Sequence, residues 1–272
     1  MNFEIRSMTL GDLTTAVEWA ASEGWNPGLE DAATFHAIDP DGFLMGWLDE
    51  RPIASISAVD WGAGFGFIGL YIVVPEFRGQ GYGIKLWHAA MDRLRDKTIG
   101  LDGVVAQQSN YARSGFALAH RNLRFEGAAG HLAGEEHGSI PTQEDADSLL
   151  SLDLAASTRT GYLQRWLGQG QAIVLRGEES LVVARPCRTG YRVGPLIAPD
   201  LEEAQRLLGS VCARLEPETP VFIDIPETNS QALALVNSHG MTMQFETARM
   251  YHGETAPFDH TRWFGVTTLE LG

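Results

Sequence analysis

The order of expected elements runs through this chain twice, and that repetition limits its possible folds more than any other feature. In the first half a strand (FEIRSM) leads into a helix opening at Asp12 and a second helix near LEDAATFHAI. Three strands then follow in succession, GFLMGWLDE, RPIASISAVDW and FGFIGLYIVV. A glycine-rich loop, a helix from Ile84 to about Arg95, a strand around IGLDGVV, a short helix through Tyr111 and a strand, AHRNLRFEG, complete the series. Residues 127–138 are small, polar and glycine-rich, as a linker would be. After them the order returns: helical EDADSLLSLDLAA and YLQRWL, strands QAIVLRGE, SLVVARPCR and YRVGPLIAP, helix LEEAQRLLGSVCARL, strand VFIDIP, helix NSQALALVNSHG and strand FETARMYHG. The closing RWFGVTTLELG alternates like one more strand and is expected to complete the second sheet.

Spacing supports the repeat. Pro75 to Gly115 is 40 positions and Pro199 to Gly240 is 41; Gly115 to Gly127 is 12 and Gly240 to Gly253 is 13. Arg124 and Arg249 stand three and four residues before those last glycines. Registers kept this closely point to duplication of one α+β unit, with residues 1–133 and 134–272 as the two domains. A length of 272 residues suits two domains.

Composition narrows the partners. Twenty Lys and Arg against 35 Asp and Glu give a formal charge of −15, which argues against holding a nucleic-acid backbone and mildly favours a cationic small substrate. The two cysteines are isolated and the eight histidines form no HxxxH or HExxH pair, so no disulfide frame and no metal site are expected. The chain has no apolar run near the ~18 residues of a membrane helix. Its start, MNFEIRSMTL, lacks the basic flank and apolar stretch of a secretion signal, so a cytoplasmic protein that does not bind membranes is expected.

The loop of the first half carries the chemistry. Residues 73–83 read VVPEFRGQGYG, three glycines at alternate positions between a strand and a helix. Such a run lets successive backbone N–H groups converge at the positive end of a helix, which is an anion site, most often for phosphate. Pro75 ends the strand and Arg78 offers a charged clamp. Ile84, Trp87, Met91 and Leu94 are spaced to pack one helix face on the sheet. No Gly-Lys-Ser/Thr follows, as a Walker loop requires. The loop is GxGxG after four expected strands, not the GxGxxG of a dinucleotide fold at its first strand. A merely structural turn is the remaining alternative.

Arg78-Gly79-Gln80-Gly81-Tyr82-Gly83 resembles the Q/R-x-x-G-x-G/A loop of the GNAT superfamily of N-acetyltransferases, and Val73-Val74-Pro75 resembles its V-x-P strand end. The resemblance implies two tandem units, each a mixed, mainly antiparallel sheet flanked by helices, with acetyl-CoA as co-substrate. It implies that Tyr71, Ile72 and Val73 hold pantetheine and the acetyl carbonyl through strand backbone. Gly79 to Ile84 (Gly79, Gln80, Gly81, Tyr82, Gly83, Ile84) would meet the diphosphate, with Arg78 beside them. Tyr111, four residues before Gly115-Phe116, matches the tyrosine that protonates the departing thiolate. Val104 stands where the family usually has an asparagine, and Gln107, Gln108 or Asn110 are candidates to replace it.

The second copy has lost half of this. Asn229, Ala232 and Gly240 fit the family spacing, but Val236 replaces the tyrosine and DLEEAQ, with three carboxylates, replaces the glycine loop. A degenerate unit that keeps the fold and shapes the acceptor pocket is expected. The reaction implied is direct acetyl transfer to a primary amine of a small molecule or peptide, by a monomer or homodimer. The acceptor side is expected at Trp25, Asn26, Asp60 and Trp61, although either tryptophan also suits a core. Asp60 or Asp102 acts as base through water, or the amine arrives deprotonated. The alternative class is an acyl-CoA sensor without turnover.

Overall fold

A computed structural model describes residues 2–141, 164–254 and 260–272. The expected helix EDADSLLSLDLAA and the first two residues of YLQRWL lie outside them. The first unit comprises β1 (Phe3–Ser7), α1 (Leu10–Ser22), α2 (Asp31–His36), β2 (Phe43–Leu48), β3 (Arg51–Gly62), β4 (Phe65–Val73), α3 (Tyr82–Arg93), β5 (Thr98–Val104), α4 (Gln108–Arg113) and β6 (Ala117–Ala128). A short α5 (Ala129–Leu132) follows. The second unit comprises β7 (Ile173–Arg176), β8 (Leu181–Pro186), β9 (Tyr191–Ile197), α6 (Leu201–Cys212), β10 (Pro220–Pro226), α7 (Ser230–Ser238), β11 (Thr242–His252) and β12 (Trp263–Gly265).

The strands form one sheet in the order β1-β2-β3-β4-β5-β11-β6-β10-β9-β8-β7, with β12 on β9. Among the described strands only β4–β5 and β9–β10 pair in parallel, so the sheet is mixed and mainly antiparallel. Its middle is interleaved: β11 of the second unit lies between β5 and β6 of the first, and β6 in turn pairs with β10. Each unit's last long strand is therefore hydrogen-bonded into the other, and neither half completes its sheet alone.

Reciprocal buried ion pairs follow from that interleaving. Arg124 on β6 makes a bidentate pair with Asp224 on β10, and Arg249 on β11 does the same with Asp102 on β5. Arg192 joins Asp224 to Glu270, and Arg185 pairs with Asp31, with both side chains fully buried. Burial alone would lower these arginines, yet their carboxylate partners hold Arg185, Arg192 and Arg249 above the usual guanidinium range. Removing one member would strand a buried charge, at a cost of about 3–5 kcal/mol. An apolar cluster spans the same junction, joining Phe35, Phe67 and Leu70 to Trp166, Val183 and Leu271.

Local rules explain the elements around the site. Thr9 and Asp12 form a capping box at the start of α1. On α3 the packed face is Leu86, Trp87, Ala90 and Leu94, with Met91 at its margin. Ile84, expected on that face, is half exposed and lines the cleft instead. The closing segment also differs from expectation. Only Trp263–Gly265 pairs as a strand, and the chain then runs back to the first unit, where the Leu271 carbonyl accepts from Trp61 Nε1 at 3.2 Å. Gly69 makes that approach possible, since a Cβ there would sit 2.0 Å from the Glu270 carbonyl oxygen. No helix among the described residues is long and apolar enough to cross a membrane.

Candidate active site

Two features of β4 open a cleft in the sheet. Its parallel pairing with β5 stops at Ile68 and Leu101, beyond which the strands diverge. The register against β3 also slips: Ser57 faces Gly69 and Ser55 faces Ile72, so Leu70 and Tyr71 stand opposite one residue. Leu70 takes a left-handed φ of 45°, and its carbonyl accepts from Ser55 Oγ at 2.8 Å. Past the bulge, one side of β4 from Tyr71 to Val73 faces the cleft instead of β5.

The loop after β4 turns by glycine geometry. Gly79 and Gly81 have φ of 73° and 83°, and nothing lies within 4 Å of a Cβ placed on either, so backbone conformation, not crowding, requires glycine there. Gly83 is needed for space, since its Cβ would lie 2.7 Å from the Tyr71 hydroxyl. Gly81 caps α3 without a side chain, which leaves the first-turn amides of the helix facing the cleft. Arg78 and Gln80 brace this loop. Arg78 Nε donates to the Val73 carbonyl at 2.8 Å and its guanidinium pairs with Glu23, while Gln80 Nε2 donates to the Glu76 carbonyl at 2.8 Å.

At the equivalent point of the second unit, Asp200 caps α6 and accepts from the Glu203 amide at 2.9 Å. Glu203 is itself tied to Ser180 at 2.6 Å and His137 at 2.9 Å. Burial would raise its carboxyl, but those hydrogen bonds outweigh burial and hold it below its usual range. Asn229 caps α7 and donates to the Trp263 carbonyl at 2.9 Å, and Val236 is fully buried.

Three cavities meet at Tyr71 and Tyr111. An outer one of about 490 Å³ runs along Ile72 and Val73 to Gly79, Gly81, Gly83 and Ile84. A side branch of about 420 Å³ reaches Gln107, Asn110 and Arg113. At the vertex of the diverging strands lies a chamber of about 60 Å³ with Leu70 and Leu101 on one side and Phe245 and Leu269 on the other.

Tyr111 comes from α4, is 8% exposed, and packs beside Trp87 with ring centroids 5.5 Å apart. Its ring lies across Gly103, where a Cβ would meet Cε2 at 2.3 Å. Burial, with the nearby Tyr71, pushes its phenol up to about 12, so it is protonated at neutral pH. Burial also raises Tyr71. The role of Gly103 was not read from the sequence; the available signal was a glycine inside a strand, GLDGV, a mark of close approach.

On the acceptor side the structure brings only Trp25 to the cleft, where it borders the outer cavity and the inner chamber. Its carbonyl accepts from Arg124 Nη1 at 2.7 Å. Asn26 turns to the second unit instead and exchanges two 2.9 Å hydrogen bonds with the Thr189 backbone. Asp60 sits at the hairpin end of β3 opposite Gly66, paired with Lys97 at 2.9 Å, and borders none of the three cavities. Trp61 is buried in the apolar cluster between the units. Asp102 does border the chamber, but it accepts from Arg249 Nε at 2.8 Å and Nη2 at 2.6 Å and from Asn122 Nδ2 at 2.9 Å. Burial raises its carboxyl and Arg249 opposes that shift. Phe245, Thr247, Leu269 and Glu270 of the second unit complete the chamber; none was foreseen, because strand alternation does not say which neighbour a strand will join.

Comparison with known proteins agrees with this architecture. The acetyltransferase (GNAT) family matches residues 11–117, and a second acetyltransferase (GNAT) domain matches residues 150–265. A holothin acyltransferase of Pseudoalteromonas sp. (strain SANK 73390) is 30% identical over 263 residues, covering 94% of this chain and 90% of that protein. Among solved structures, a putative acetyltransferase from Pyrococcus horikoshii superimposes with a TM-score of 0.82 at 20% identity, covering 99% of this chain and 96% of that one. A tandem GNAT protein from the clavulanic acid biosynthesis pathway gives 0.63 at 16% identity, covering 95% and 100%. At these identities the two structures speak for the fold alone.

Proposed function

The chain belongs to the GNAT family of acyltransferases, and from that premise we propose that its first unit transfers an acetyl group from acetyl-CoA directly to an amine. The observation that carries this reading is a convergence. The uncapped start of α3, with left-handed Gly79 and Gly81, opens on the same cleft as the buried, protonated Tyr111.

In this reading the amides of residues 79–84 take the diphosphate, and the cleft-facing side of β4 from Tyr71 to Val73 takes pantetheine. The thioester carbonyl comes to the bulge at Leu70 and Tyr71, where a backbone amide would stabilise the developing oxyanion. Holding both reactants in one cleft makes the attack effectively unimolecular. The C–N bond forms, the C–S bond breaks, and the proton leaving nitrogen ends on sulfur. With its phenol near 12, Tyr111 serves as a hydrogen-bond donor to the leaving thiolate, whose conjugate acid has a pKa near 8.5.

The second unit, with Asp200 filling its own helix cap, contributes walls and not a second coenzyme site. Incubation with acetyl-CoA and an amine panel, read by thiol release, tests the proposal. Release that depends on an amine is the expected result. Coenzyme binding without release would mark a sensor instead.

A further inference from the structure

The charges around the cleft narrow the acceptor, in an argument that rests on the N-acyltransferase reading above. Among the described residues three carboxylates border the cavities, and each already holds a guanidinium. Glu23 holds that of Arg78, Asp102 that of Arg249, and Glu270 that of Arg192 at 3.1 and 3.2 Å. Asp102 and Glu270 are 0% and 4% exposed, so a cationic substrate could reach them only by unpairing a buried arginine. Arg124, the third charged residue on the chamber wall, is positive and is paired with Asp224. Aromatic and aliphatic side chains, among them Trp25, Trp87, Phe245 and Leu269, make up most of the remaining wall, together with Tyr71, Tyr111 and Thr247.

Among the described residues the same pairing also occupies the three carboxylates that would otherwise accept a proton. An alkylamine with a pKa near that of lysine, about 10.4, is deprotonated in only about one part in a few thousand at pH 7. It would need a counter-ion to bind and a base to react. An amine whose lone pair is delocalised into a ring needs neither, and its flat body matches the aromatic walls. We propose that the acceptor is a weakly basic amine borne on a compact, uncharged aromatic or conjugated body, and that polyamines, aminoglycosides and lysine side chains are poor acceptors. The amine nitrogen attacks the thioester carbon, the C–S bond breaks, and the N–H proton passes to sulfur, giving amide and free thiol.

The test uses the full chain with acetyl-CoA and follows thiol release with aniline, 4-methoxyaniline and 5-aminoindole against spermidine, kanamycin and a lysine peptide. The expected result is a kcat/KM for the best aromatic amine at least 100-fold above that of any cationic amine, and independent of pH between 6.5 and 9. Faster turnover of spermidine, kanamycin or the peptide, or a tenfold rise per pH unit for the best substrate, overturns the acceptor class while leaving N-acyl transfer standing. Coenzyme binding in calorimetry with no release from any amine overturns the transfer reading itself, and this inference with it.

Discussion

The loop at residues 73–84 and its counterpart at 199–204 occupy the same place in two copies of one fold, between a strand and a helix, yet they end those helices in opposite ways. In the first, left-handed glycines leave the amides of α3 open to a ligand; in the second, Asp200 supplies its own anion to α6. An N-terminal carboxylate is a good way to stabilise a helix and a poor way to leave room for a diphosphate. In the proposed function one copy gives up a stabilising cap for an open anion site, and the other keeps the cap and serves as scaffold.

Giving the first loop the character of the second should have the largest effect. Gly81→Asp, which places a carboxylate among the amides at a left-handed φ that strains aspartate less than most side chains, should lower acetyl-CoA-dependent thiol release by about 10³-fold or more while the circular dichroism spectrum is unchanged. Retained turnover would mean the two loops do not differ in function.

The reciprocal ion pairs test whether the units are mutually dependent. Asp224→Ala and Asp102→Ala should each cost about 3–5 kcal/mol in urea unfolding, because each leaves an arginine from the other unit buried and unpaired. Loss confined to one unit, seen as two separate transitions, would contradict a shared sheet.

Tyr111 has no equivalent at Val236, and its position depends on Gly103. Tyr111→Phe should reduce kcat about 10²-fold with little change in acetyl-CoA affinity, and Gly103→Ala should mimic it by displacing the ring. A normal kcat in both variants would remove the phenol from the reaction.

The smallest effect belongs to the second loop. Asp200→Ala should cost about 1 kcal/mol of stability through the lost cap and leave kcat untouched.

How much of this was legible in the sequence depends on distance along the chain. The glycine loop, its replacement by DLEEAQ in the second copy, the position of Tyr111 before Gly115 and the doubled order of elements are local patterns and were readable. The interleaving of β6 and β11 was not, because alternation in AHRNLRFEG and FETARMYHG fixes which residues face the core but not which strand lies alongside. Arg124 and Arg249 were visible as repeat markers, while their partners, about a hundred or more residues away, were not. For the same reason RWFGVTTLELG read as a full strand, although only three residues pair and the remainder closes the chamber. Asn26, Asp60 and Trp61 were placed by neighbourhood in the sequence, and the structure spends them on the second unit, on Lys97 and on the core.

Calorimetric titration of the wild-type chain with acetyl-CoA tests the contrast between the two loops most directly. Binding at one site per chain, with no heat from Gly81→Asp, is the result expected here. Two sites per chain, or one that survives that substitution, would contradict it.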